Sequence, residues 1–128
     1  MAHCRALIVH CMDFRLAKPI NDYLADRNLL GDGDIVSIAG ATKNLDFVLG
    51  QIDTSIGLHG AKEIIICHHT DCGAYKEMQF SSFEKEREFQ IGEMEKAKKA
   101  ISDKYPDLKI KMLLAKIMPS GAVEIEKI

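Results

Sequence analysis

Two uninterrupted apolar runs, Ala6-Leu7-Ile8-Val9 and Ile64-Ile65-Ile66, constrain the fold of this chain more than any other feature. A strand with one wet face alternates apolar and polar side chains. A strand that stays apolar belongs in a sheet covered on both sides. Residues 5–10 and Lys62 to His68 therefore read as buried strands. Between them the spacing predicts a helix over 18–29, with Pro19 in its first turn and Ile20, Tyr23, Leu24 and Leu29 near helical spacing. Gly31-Asp32-Gly33-Asp34 reads as a turn, Ile35-Val36-Ser37-Ile38 as a strand, and Ala39-Gly40-Ala41-Thr42 as a small-residue loop. A second helix is expected from Asn44, a good N-cap, to Leu58, with Leu45, Val48, Leu49, Ile52 and Ile56 in one stripe and Gly60 as its stop.

After the second apolar run the chain carries no clear periodicity up to about Ser81. Ser81-Ser82-Phe83-Glu84 fits a capping box before a long charged helix that ends ahead of Pro106, with Ile91, Met94, Ala97 and Ile101 on its inner face. Lys109 to Met118 is a fourth strand, Pro119-Ser120-Gly121 a turn, and Val123 to Ile128 alternates as an antiparallel edge strand would. The order implies an α/β fold. A mostly parallel central sheet of four strands is flanked by helices on right-handed crossovers and closed by a C-terminal antiparallel edge strand. Residues 1–128 are the size of one domain.

A net charge of −2 leaves no basic footprint, so nucleic acid is not an expected partner. No apolar stretch approaches the ~20 residues that span a bilayer, so no membrane span is expected. Met1-Ala2-His3-Cys4-Arg5 runs into a strand without the pattern of a secretory signal. A cytoplasmic protein with reduced cysteines is the expectation. Cys67, inside an apolar run, reads as a buried and inert thiol, and Cys4 is read the same way.

The chemistry-bearing residues stand in two motifs. Cys11-Met12-Asp13-Phe14-Arg15 follows the first strand, and His69-Thr70-Asp71-Cys72-Gly73 follows the third. Open parallel sheets form their sites beyond the carboxyl ends of strands, where the winding reverses. If the first and third strands are neighbours, Cys11, His69 and Cys72 meet there. Two thiolates and an imidazole are a zinc donor set, and catalytic zinc keeps one position for water. Cys72 at the entrance of a helix would favour its thiolate. Adjacent residues of an extended chain point opposite ways, so His10 and His68 are expected at the sheet surface or a subunit contact. Asp71 is a further possible ligand, expected instead to hydrogen-bond its own turn. His59, at a helix end, reads as structural, and His3 as uninformative. Asp13 can accept a hydrogen bond from the nucleophile, and Arg15 would hold Asp13 ionised through a fork-like pair.

These residues resemble the β-class carbonic anhydrases. Their pattern of Cys-x-Asp-x-Arg, an Ala-Gly loop and His-x-x-Cys-Gly is met by Cys11 to Arg15, Ala39-Gly40 and His69 to Gly73, over residues 5 to 75. The resemblance implies Cys11, His69 and Cys72 as zinc ligands, Asp13 and Arg15 as the catalytic dyad, and Ala39, Gly40 and Gly73 as substrate-lining positions. It implies Zn2+ as cofactor and reversible hydration of carbon dioxide to bicarbonate by a zinc-bound hydroxide. It also implies a homo-oligomer, at least a dimer. Three departures bear on the pocket: an expected N-terminal arm is absent before the first strand, Ser37-Ile38 replaces a basic residue and Asn, and His68 replaces Gly. The rivals are hydrolysis of carbonyl sulfide or carbon disulfide at the same site, a non-catalytic zinc protein in which Asp13 closes the metal shell, and a thiol redox protein using Cys11 and Cys72.

Overall fold

Side-chain alternation along the buried strands sets the layers. Ala6 and Ile8 point to one side of the first strand and Leu7 and Val9 to the other, and all four are buried. The computed structural model describes residues 2–128. Its elements are β1 (Ala6–His10), α1 (Ala17–Asp26), β2 (Gly33–Ser37), α2 (Leu45–His59), β3 (Glu63–His69), α3 (Phe83–Lys104), β4 (Lys109–Ile117) and β5 (Val123–Lys127). On one face, Ala6, Ile8, Ile65 and Cys67 pack with Ile20, Tyr23 and Leu24 of α1. On the other, Leu7, Val9, Ile64 and Ile66 pack with Val48 and Ile52 of α2 and with Met94, Ala97 and Ile101 of α3. Cover on both sides is why these strands carry no polar alternation.

The sheet order is β2-β1-β3-β4-β5. β1 runs parallel to both β2 and β3, β3 parallel to β4, and β5 antiparallel to β4 with Ala115 opposite Ile125. The expected mostly parallel sheet with an antiparallel edge is therefore present. The winding reverses between β1 and β3, so the residues after these two strands share one crevice.

Local differences from the sequence expectations have physical reasons. α1 ends at Asp26 because the chain turns at Asn28 (φ 57°), and the Leu29 amide returns to the Leu24 carbonyl at 2.8 Å. Leu29 still reaches the core from that turn. Gly33 and Asp34, expected in a turn, open β2 instead. Gly33 pairs with Ala6, and a Cβ there would meet Ile8 Cδ1 at 2.9 Å, so the glycine serves close packing within the sheet. β2 is the outer strand, which leaves Ile35 52% exposed. Ser82 rather than Ser81 caps α3, its hydroxyl accepting from the Lys85 amide at 3.2 Å. Asn44 and Gly60 bound α2 as expected, the glycine in the left-handed region at φ 65°. Among the described residues no helix is long and apolar enough to cross a membrane.

Candidate functional site

Pairing of β1 with β3 sets His10 beside Cys67, so the chain leaves both strands at the same end of the sheet. Cys11 is the first residue beyond β1, His69 the last of β3, and Cys72 lies three residues further on. Asp71, with φ 55°, turns the chain back so that Cys72 faces Cys11. The two Sγ atoms are 3.9 Å apart, and one ligand atom from each of Cys11, His69 and Cys72 lies within 4.8 Å of the others. None of the three is more than 8% exposed.

His69 shows what this cluster lacks. Its Nδ1 donates to the Thr70 carbonyl at 2.6 Å, which leaves a lone pair on Nε2. That Nε2 is buried and has no hydrogen-bond partner. An orphaned buried polar atom costs ~1–3 kcal/mol, and a cation held by the neighbouring sulfurs would satisfy it. Two sulfurs and one imidazole nitrogen are the donors zinc prefers, so these residues fit such an ion.

The two thiols share a proton unequally. The Cys72 thiol donates to Cys11, and with His69 and the Gly40 amide it holds the Cys11 sulfur well below the usual thiol range. Cys72 is correspondingly raised, by Cys11 and by burial. It stands before a single short turn, Gly73–Tyr75, not at a long helix, so the expected help from a helix dipole is missing. Burial works against a charge on His69, but the Cys11 sulfur outweighs it and raises the imidazole.

Asp13 and Arg15 form a two-pronged pair. Arg15 Nε donates to Asp13 Oδ1 at 3.0 Å and Nη2 to Oδ2 at 2.7 Å. The Arg15 amide adds a bond to Oδ1 at 2.9 Å, capping the turn Phe14–Leu16. These bonds from Arg15 hold the Asp13 carboxyl at about 2. Arg15 also reaches across to the second motif. Nη1 donates to Asp71 Oδ2 at 3.0 Å and Nη2 to the Asp71 carbonyl at 3.2 Å. The Asp71 amide in turn donates to Glu86 Oε2 of α3 at 2.7 Å. Asp71 was expected to bond its own turn and instead braces the arginine. A carboxylate inside the second motif facing an arginine in the first was the available signal. Glu86 is one glutamate among several on α3, and no pattern distinguished it.

The remaining positions divide. Gly40, at φ 78°, is buried and donates its amide to Cys11 Sγ at 3.5 Å. A Cβ there would meet Lys43 Cβ at 2.9 Å and Ala74 Cβ at 3.0 Å. Ala39 beside it is exposed, and Gly73 opens the turn after Cys72. His10, half-buried, sets Nδ1 2.7 Å from the Cys11 carbonyl. His68 is not at the surface: it is 2% exposed. Its Nε2 accepts from the Thr42 amide at 3.3 Å and the Thr42 hydroxyl at 2.7 Å, and its Nδ1 donates to Gln90 Oε1 at 2.8 Å. Burial lowers the His68 pKa and keeps the ring neutral, so it locks the small-residue loop to α3.

Over residues 1–120 the chain matches the model of a family described as "Putative carbonic anhydrase". An uncharacterized protein of Rickettsia bellii is 33% identical over 117 residues, covering 81% of this chain and 71% of that protein. An uncharacterized protein of Rickettsia conorii is 30% identical over 131 residues, covering 92% and 69%. In fold the chain is similar to a carbonic anhydrase from Streptococcus mutans, with a TM-score of 0.65 at 24% identity over 97% of this chain and 82% of that one. It is also similar to a tetrameric β-carbonic anhydrase of Sordaria macrospora, with a TM-score of 0.68 at 12% identity over 100% and 82%.

Proposed function

We propose, from the premise that the chain belongs to this carbonic-anhydrase family, that it is a zinc lyase catalysing the reversible hydration of carbon dioxide to bicarbonate. The observation that carries the reading is the orphaned Nε2 of His69 facing the Cys11 and Cys72 sulfurs, beside a carboxylate held ionised by Arg15. In this reading Cys11, His69 and Cys72 hold Zn2+. The ion, when bound, supplies the Lewis acidity that makes water a nucleophile near neutral pH.

The chain's own residues then orient and restrain. The Thr70 carbonyl fixes the His69 ring with Nε2 inward, and the Gly40 amide supports the Cys11 thiolate. Asp13 accepts a hydrogen bond from the O–H of the nucleophile and turns a lone pair toward the substrate carbon. Arg15 keeps both Asp13 oxygens in place and charged. That double engagement favours Asp13 as acceptor over a fourth metal ligand, and so favours an open, catalytic centre over a closed one. Phe14, 85% exposed, and Met12, 64% exposed, flank the dyad. Bare apolar side chains at that place support a homo-oligomer, at least a dimer, whose partner covers them. The single domain spans 1–128 in this reading.

Stopped-flow hydration of carbon dioxide by the zinc-loaded protein tests the proposal. A rate well above buffer between pH 7 and 9 is expected. A rate equal to buffer across that range counts against it, and sulfide release from carbonyl sulfide would then move the substrate. Sedimentation should give a species larger than the 14.3 kDa chain.

A further inference from the structure

A second cluster of metal-ligating side chains lies at the opposite end of the sheet, where the hydration chemistry has no use for it. Cys4 Sγ, a carboxylate oxygen of Asp34 and a ring nitrogen of His59 all lie within 4.8 Å of one another. They come from three separate segments: the residues before β1, the start of β2 and the last position of α2. At ~3.3 Å per strand residue, the length of β1 alone separates this cluster from Cys11 by about 16 Å.

The cluster is braced as a ligand set would be. His59 Nδ1 lies 2.9 and 2.7 Å from the two Asp34 oxygens. Ser55, one turn earlier on α2, donates its hydroxyl to Asp34 Oδ2 at 2.7 Å. The Cys4 amide donates to the His59 carbonyl at 3.0 Å and pins the cysteine against the helix end. All three side chains are partly exposed. Cys4 opens on a cavity of about 640 Å³ that is also lined by His3, Arg5 and Gly60. Asp34, Ser55 and His59 line a second cavity of about 220 Å³. An ion thus has an entry path and room for a water ligand.

We propose that Cys4, Asp34 and His59 form a second divalent-metal site, independent of Cys11, His69 and Cys72, that takes zinc or another thiophilic first-row cation. A thiolate and a carboxylate neutralise a divalent charge, and the imidazole completes a sulfur–nitrogen–oxygen set suited to this class. Magnesium and calcium, which take oxygen ligands, are excluded by the same donors. On binding, the Cys4 thiol gives up its proton to solvent, and His59 ligates through Nδ1 as the neutral ring, which carries its one proton on Nε2. The ion would clip the start of β1 to β2 and α2.

Zinc stoichiometry after chelator stripping and equilibrium dialysis at micromolar free Zn2+ tests this. Native protein should hold two zinc ions, and Cys4→Ser and His59→Gln should each hold one. Co2+ loading should show sulfur charge-transfer absorption reduced by about a third in Cys4→Ser. If the cluster of Cys11, His69 and Cys72 holds no metal but this site does, native protein binds one zinc, which Cys4→Ser loses and Cys72→Ser keeps. Native protein with one zinc that Cys4→Ser and His59→Gln retain and Cys72→Ser loses overturns the proposal, as does native protein with none.

Discussion

At the carboxyl ends of β1 and β3, Cys11, His69 and Cys72 are at most 8% exposed and His69 Nε2 has no partner. At the amino ends, Cys4, Asp34 and His59 are partly exposed, and Asp34 already accepts bonds from Ser55 and His59. Both groups contain a thiol and an imidazole. Only the first has a buried polar atom that the fold leaves unsatisfied, at a cost the chain bears unless something occupies the space. The second is satisfied by its own members together with Ser55 and the Ala6 carbonyl, and is exposed enough to exchange with solvent. The first end is therefore expected to hold its ion tightly and to depend on it, and the second to take one more weakly. Cys67 adds a control. It lies two residues before His69, packs among apolar side chains facing α1, and burial pushes its thiol up to about 12. A buried sulfur without converging donors stays a packing group.

The largest effect that could break this contrast is at Cys72. Cys72→Ser should abolish zinc retention at the carboxyl end and lower kcat/KM for hydration at least ~100-fold, since even partners of ligands are worth ~10–100-fold. A variant that keeps both its zinc there and its rate contradicts the assignment. Arg15→Gln comes next. It leaves Asp13 without its two-pronged partner, and a loss of ~10–100-fold in kcat with zinc content unchanged is expected. Unaltered kcat would remove Arg15 from the mechanism.

Asp71→Asn is smaller. Its carboxylate meets Arg15 but is 79% exposed on the side-chain scale, and exposed pairs are worth ~0–1 kcal/mol. At most a fivefold drop in kcat/KM is expected, and a loss as great as that of Arg15→Gln would show that Asp71 does more than brace the arginine. The smallest functional effect belongs to Cys67→Ala. It should cost about 1 kcal/mol in urea unfolding while leaving zinc content and rate unchanged. In the folded, metal-stripped protein at pH 8, iodoacetamide should leave Cys67 unmodified, because a thiol pushed to about 12 is protonated there. Alkylation of Cys67 faster than unfolding would break the contrast between the two kinds of buried sulfur.

Much of the fold was legible because burial on both faces writes itself into strand sequence. Ile64-Ile65-Ile66 has no polar alternation, and both cores claim it. Ile35-Val36 was legible as a strand but not as the outer one, because an apolar run does not reveal what its edge adjoins. Gly33 was read as a turn residue because close packing against Ile8 leaves no local mark. At the candidate site, Cys11, His69 and Cys72 could be proposed once β1 and β3 were taken as neighbours. Burial of His68 with Thr42 and Gln90 could not, because those partners lie 26 and 22 residues away. Nor could the convergence of Cys4, Asp34 and His59, whose three segments show no common spacing. The cysteine read as inert and the histidine read as structural meet only in three dimensions.

Zinc K-edge absorption on Cys4→Ser protein loaded with one equivalent of Zn2+ tests the central claim most directly, because it isolates the carboxyl-end cluster. The account predicts two sulfurs at ~2.3 Å and two lighter ligands at ~2.0–2.1 Å, one of them imidazole. A shell with one sulfur or none would contradict it.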